Sequence, residues 1–199
     1  MKLYEKTFVS AEWKQFLLPW LYMRASAEWA QRTWLDNHTD YSWNKKDDRE
    51  YTPNYPVQPE PTDRQFPDLF AINAEFRFRF GQTYSSYPTF RSYDSSKWPS
   101  IYLRYRKAIP GVAGSAADFD MVQVQLSENE LSWGLAGYSD IRITAGAFLR
   151  NKTLGFMDLY HPRGNQTNFG EPKNYTRSFF MLPYYAYATD KPYVDAHWQ

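Results

Sequence analysis

The chain has 199 residues, and 23 basic against 22 acidic side chains leave a net charge of +1, so no polyelectrolyte force draws it to nucleic acid. Cysteine is absent, which removes disulfides, thiolate metal sites and cysteine nucleophiles together. Aromatic residues make up 20% while mean hydropathy is −0.71, and no run approaches the roughly 18 apolar residues of a membrane helix, so a helical membrane protein is excluded. An aromatic-rich chain that is hydrophilic on average suits an outer-membrane β-barrel or a soluble β-sandwich that offers its rings to a sugar. The N-terminal Met-Lys-Leu-Tyr-Glu-Lys-Thr has no apolar core of a signal peptide, which taken alone points to the cytoplasm.

In chain order, Thr7–Trp13 alternates weakly, and then Leu21, Met23, Ala25, Ala27 and Trp29 alternate with Tyr22, Arg24, Ser26 and Glu28. Period 2 is the mark of a strand with unlike faces. Asn44–Pro67 is polar and holds five prolines, so it predicts one long exposed loop, because proline removes a ladder donor. The clearest strand is Leu69–Phe80, where Ile72, Ala74, Phe76, Phe78 and Phe80 oppose Asn73, Glu75, Arg77 and Arg79. Ile101–Arg106, Met121–Ser127 and Ile141–Leu149 repeat the pattern. Leu154–Tyr160, Ser178–Tyr187 and Tyr193–Trp198 repeat it weakly. Turn signals fall at Ser127–Glu130, Gly137–Asp140 and Arg150–Thr153.

Alternation alone fits a barrel with lipid outside and a polar lumen, and equally a sandwich with an apolar core. Two features favour the barrel. Small residues on the apolar side (Ala25, Ala27, Ala145, Ala147) would leave a sandwich core thin, and the arginines Arg77, Arg79, Arg104, Arg106 and Arg142 form a ladder suited to a lumen. The expected lipid-facing set is Ile72, Phe76, Phe78, Ile101, Leu103, Val124, Ile141 and Ile143, with Glu75 and the arginines facing inward. The ladder either draws anions or, as we favour, makes salt bridges with Glu75, Glu28 and similar residues.

Nine short blocks then carry a family resemblance. They run in order from Met1-Lys-Leu-Tyr-Glu-Lys6, Glu28-Trp-Ala-Gln-Arg32 and Asn37-His-Thr-Asp-Tyr41 to Pro99-Ser-Ile-Tyr-Leu-Arg-Tyr-Arg-Lys107, Asp118-Phe-Asp120 and Gly146-Ala-Phe-Leu149. Phe156-Met-Asp158, His161-Pro-Arg-Gly-Asn-Gln166 and Leu182-Pro-Tyr-Tyr185 with Ala188-Thr189 complete them. Across essentially its whole length the chain resembles the C-terminal β-barrel domain of unknown function of uncharacterised Gram-negative outer-membrane proteins. These carry a carboxypeptidase-regulatory-like domain ahead of the barrel. The resemblance implies a fragment of a longer protein, with a signal peptide and earlier strands before it and closing strands after it. At His161-Pro-Arg-Gly the chain departs from the family pattern, which more often has an aromatic and Asn there; Pro162 stiffens the loop.

Little chemistry competes with that reading. His38, His161 and His197 lack metal-ligand spacing, so no metal and no cofactor is expected. His161 with Asp158 and Asn165 reads as a turn held by side chain to backbone bonds, ahead of catalysis. Asp118 and Asp120 could pair as acid and base of a glycosidase, but nothing marks either as apolar-buried. No nucleophile elbow or phosphate loop occurs, and the sequons at Asn37, Asn151, Asn165 and Asn174 read as chance in a turn-rich chain.

The expectation is therefore an all-β, antiparallel up-and-down transmembrane barrel segment of about eight strands over residues 1–199, unable to close alone. It is non-enzymatic and sits in the outer membrane, in a transport, assembly or surface-anchoring role. Its partner is outer-membrane lipid, with periplasmic or TonB-type partners open and nucleic acid excluded. Loop 44–67 is expected on the cell surface, opposite Gly137–Asp140. The alternative is a soluble aromatic-rich β-sandwich that binds carbohydrate.

Overall fold

The structure is a computed structural model, and it describes residues 4–35, 67–94, 96–165, 178–183, 185 and 187–199. Long strands follow from the alternating pattern: β1 (Tyr4–Leu18), β2 (Leu21–Trp34), β3 (Leu69–Phe78), β6 (Ser100–Ala108), β7 (Asp118–Ser132), β8 (Tyr138–Thr153) and the shorter β11 (Tyr193–Trp198). These seven form one antiparallel sheet in the order β1-β2-β3-β6-β7-β8-β11, with β1 and β11 at its two edges. The short strands β4 (Tyr84–Ser86) and β5 (Arg91–Tyr93) make a hairpin, and β9 (Gly164–Asn165) pairs with β10 (Phe179–Phe180). The all-β antiparallel expectation holds, with seven strands in the sheet and no closed barrel among the described residues.

The five clearly alternating segments lie in strands of the sheet, except that Arg79 and Phe80 fall beyond the end of β3, and Thr7–Trp13 and Tyr193–Trp198 lie in strands too. The other two weak segments do not. Leu154–Tyr160 contains a 3-10 turn at Phe156–Asp158, because Phe156 and Asp158 are both drawn into the interior. Among the described residues, Ser178–Tyr187 keeps only β10: Met181 (φ 61°) and Tyr185 (φ 67°) turn left-handed and Pro183 offers no N–H.

The turn signals are displaced too. Between β7 and β8 the reversal centres on Gly134–Ala136, where Gly134 (φ 65°) and Gly137 (φ 110°) supply the backbone that other residues avoid, so Tyr138–Asp140 already belong to β8. Ser127–Glu130 lies inside β7 as a bulge: the register shifts between Glu128 and Leu131, Glu130 sits at φ 58°, and its N–H donates to Asp140 Oδ1 at 2.7 Å. Arg150–Thr153 is the end of β8. Loop 44–67 lies outside the described residues except Pro67. The ends of β2 and β3 that lead to it are at the opposite end of the sheet from Gly137–Asp140.

Register assigns every side chain to a face. One row across the sheet reads Met23, Phe76, Leu103, Val124, Ala145 and Val194; the adjacent row on the other face reads Lys14, Arg24, Glu75, Arg104, Gln123, Gly146 and Tyr193. Among the described residues, the two small ladders that pack on the sheet lie on its charged face. Tyr93 of the hairpin stacks on Phe16 at 4.1 Å, and Phe179 of β10 tilts against His197 at 4.4 Å. The small buried cluster of Ala30, Leu69, Ala71, Ala108, Ala117 and Phe119 is on that face as well, at the end nearest Pro67. Charged ladder and buried core thus share one side.

Candidate functional site

The expected lipid-facing residues, Ile72, Phe76, Phe78, Ile101, Leu103, Val124, Ile141 and Ile143, all fall on one face by register. It is the more open face: Val124 is 45% exposed, Ile72 44% and Ile143 40%. Among the described residues no second sheet packs against it; the two small ladders both touch the charged side.

Glu75, Arg77, Arg104, Arg106 and Arg142 fall on the opposite face by register, Arg79 lies just beyond the end of β3, and each arginine has a different environment. Arg77 lies over the Tyr22 ring at 4.7 Å, and Arg79 donates to Ser100 Oγ at 3.2 Å. Arg104 pairs with Glu75 through Nε, and its Nη1 donates to Gln123 Oε1 at 3.0 Å and Gln125 Oε1 at 3.3 Å. Arg106 reaches Asp158 Oδ1 at 3.3 Å. Arg142 lies beside Thr144 in the wall of a cavity. Of the two acids expected to balance the ladder, Glu75 does so, whereas Glu28 takes Lys6 at 2.7 Å.

Asp158, grouped by the sequence with His161 and Asn165, has its partners elsewhere. Its side chain is 1% exposed and lies 2.8 Å from Arg32 Nη1, whose own side chain is 4% exposed. Arg32 also donates to the Pro67 carbonyl, from Nε at 3.2 Å and Nη2 at 2.7 Å. A buried carboxylate between two guanidiniums pins the 3-10 turn onto the sheet. Arg32 has the strand parity of Arg24 and Glu28, so the sequence does place it on the charged face; nothing local names its distant partner.

His161 behaves as a turn residue. Its Nε2 donates to the Phe156 carbonyl at 2.8 Å, which puts the proton on that nitrogen, and burial holds its pKa below the ordinary histidine range. Asp158 lies near it in sequence but bonds elsewhere, and the Asn165 side chain lies outside the description. Asp118 pairs with Arg150 and Asp120 with Lys107 at 3.0 Å, so both carboxylates are occupied in ion pairs. Among the described residues no group of three acids or histidines is arranged to hold a metal.

Across the same face Tyr193 lies flat over Gly146, its strand partner, and stacks on Tyr160 with ring centroids 3.5 Å apart. Its hydroxyl accepts from Gln123 Nε2 at 2.9 Å. Tyr160 in turn donates to Asp195 Oδ2, and burial with that carboxylate raises the phenol's pKa well above its ordinary value. A Cβ on residue 146 would overlap the Tyr193 ring, with Cε1 at 2.8 Å. Gly146→Ala is therefore expected to cost about 1–3 kcal/mol by overpacking. Urea unfolding should show a lowered midpoint, and adding Tyr193→Ala should cost less than the sum of the two single changes.

Two cavities open on the charged face and meet at Arg104. One, of about 460 Å³, runs toward Asp158, Arg32 and Lys6; the other, of about 440 Å³, toward Arg142, Arg163 and Asp195. No curated protein and no solved structure matches the chain. Residues 1–199 match the model described as "Family of unknown function (DUF5686) C-terminal domain", and the chain belongs to that family.

Proposed function

We propose that the chain is a section of an outer-membrane β-barrel, with the Ile72–Val124–Ile143 face on lipid and the Arg104 face lining the lumen. In this reading it belongs to a longer Gram-negative protein that carries a carboxypeptidase-regulatory-like domain ahead of the barrel. Its role is non-enzymatic: transport, assembly or surface anchoring.

The observation that carries the reading is the inversion of the sheet. In water, an apolar face this wide is expected to be covered and a charged face solvated. Here Val124, Ile143 and Val194 stand open while Arg32, Thr144 and Asp158 are buried beneath the turn and β9–β10. Lipid as the outer solvent removes the conflict. Two of the strands, β3 with 10 residues and β6 with 9, match the roughly 9–11 of a tilted spanning strand, while β1 (15), β2 (14), β7 (15) and β8 (16) are long enough to span and extend beyond it. Trp20, Phe78 and Phe80 stack at one end of the apolar face, as an aromatic girdle would. Among the described residues no further strand pairs with β1 or β11, and in lipid such sheet edges need partners, which we assign to further strands of the same barrel. A soluble sandwich would need a second sheet on Phe76 and Phe78, and the described residues place none there.

The test is made on the full-length protein. It should leave the outer-membrane fraction only with detergent, and should run faster on a gel unheated than boiled. Recovery in the soluble fraction, with one mobility before and after boiling, would reject the barrel.

A further inference from the structure

His161 joins the 3-10 turn to the small ladder that lies over the charged face. Its ring lies 5.0 Å from that of Phe156 and meets the Tyr185 ring edge-on at 5.6 Å. A carbonyl can only accept, so the 2.8 Å bond to the Phe156 oxygen fixes the proton on Nε2 and leaves Nδ1 bare. Nδ1 is buried and, among the described residues, has no hydrogen-bond partner. The neutral ring fits this place. A proton on Nδ1 would put a cation there with an N–H that nothing accepts.

The charged groups around the ring do not supply an acceptor. In its own segment Asp158 is held by Arg32 and Arg106, Tyr160 donates to Asp195, and Arg163 is a cation. From the sheet, the cavity wall that His161 shares takes Tyr102 and Arg104 of β6, Arg142 of β8, and Asp195 and His197 of β11. Asp195 Oδ1 lies 3.8 Å from His197 Nε2. Burial lowers the His161 pKa more than the Phe156 carbonyl and the Asp158 charge raise it. What the ring holds is the cover of the cavity. Two residues on, the Arg163 carbonyl accepts from the Phe179 N–H at 2.7 Å, so β10 hangs from this backbone. The Leu182 carbonyl lies so close over Gly164 that a Cβ there would overlap it. Tyr160, on the other side, is tied down independently by two backbone bonds to Thr189, each of 3.0 Å, and forms the fixed end.

We propose that His161 is an acid-sensitive latch: neutral, it clips β9, β10 and Tyr185 onto the charged face, and a proton on Nδ1 frees them and opens the cavity beneath. Protonation is disfavoured in the latched state and not in the released one. The latch is therefore complete above the ordinary histidine pKa and is lost as pH falls through the lowered value. It depends only on the charged face, and holds whether or not the apolar face meets lipid.

The experiment is amide hydrogen exchange of the purified full-length protein, read by mass spectrometry and corrected for the intrinsic effect of pH. Between about pH 7.5 and about pH 5.5, either side of the ordinary histidine value, exchange in residues 161–165 should rise severalfold while β3 stays protected. His161→Gln keeps an N–H donor for the Phe156 carbonyl and is neutral throughout, so it should abolish the rise. His197→Gln should leave it in place. On the unaltered protein, exchange of the His161 ring C–H reports its own titration, whose midpoint should lie below the ordinary histidine value and coincide with the opening of 161–165. That coincidence decides the matter if His161→Gln opens the segment at both pH values. No rise in 161–165, a rise that persists in a latched His161→Gln protein, equal loosening of β3, or a ring midpoint at or above the ordinary value or apart from the opening overturns the latch.

Discussion

Replacing Val124 by arginine is expected to cost the full-length protein about 2–4 kcal/mol in lipid vesicles, read as a lowered urea midpoint of the heat-modifiable form. Val124 lies in the middle row of the sheet, between Leu103 and Ala145, and is 45% exposed. In water a half-exposed position away from any buried partner would change stability by no more than about 0.5 kcal/mol either way. The size of the effect therefore distinguishes the two solvents. Depth gives an internal check. Ile143, paired with Leu126, is one row from the middle, and Ile141, paired with Glu128 and Trp198, is two rows away. Arginine at 124, 143 and 141 should cost progressively less in that order, since the penalty fades toward the interface. Three small and equal effects would reject lipid contact for this face.

Asp158→Ala should be the most damaging single change on the charged face, at about 3–5 kcal/mol, because it strands Arg32 as a buried cation without a counter-charge. The Pro67 carbonyl would still accept from Arg32 but carries no full charge. Thermal loss of the folded gel form should move to a clearly lower temperature. Arg32→Met combined with Asp158→Leu removes both charges and should recover much of the loss, as buried pairs replaced by apolar side chains commonly do. A single Asp158→Ala variant as stable as the parent would show that the turn at 156–158 is not held by this pair.

Much of the sheet was legible because its information is local. Alternation at Leu69–Phe80 or Ile141–Leu149 is set by which side chain follows which, and a period of two assigns each residue to a face before any partner is known. On that basis the eight apolar residues share one face by register, and Glu75, Arg77, Arg104, Arg106 and Arg142 the other. Composition also removed thiol chemistry and membrane helices.

The tertiary structure decided everything that depends on a distant partner. Glu28 and Glu75 look equivalent along the chain, yet register sets Glu75 beside Arg104 while Lys6 claims Glu28. Leu154–Tyr160 alternates as a strand would, but burial of Asp158 between Arg32 and Arg106 outweighs the ladder bonds a strand could form there. Gly146 looks like a weak point in β8 until Tyr193, brought alongside by β11, fills the space that a side chain would need. Which face is covered was equally beyond the pattern, because alternation is symmetric between a sheet with its apolar side in and one with it out. Among the described residues, the β4–β5 hairpin, the segment from 154 to 165 and β10, all folding onto the charged side, break that symmetry.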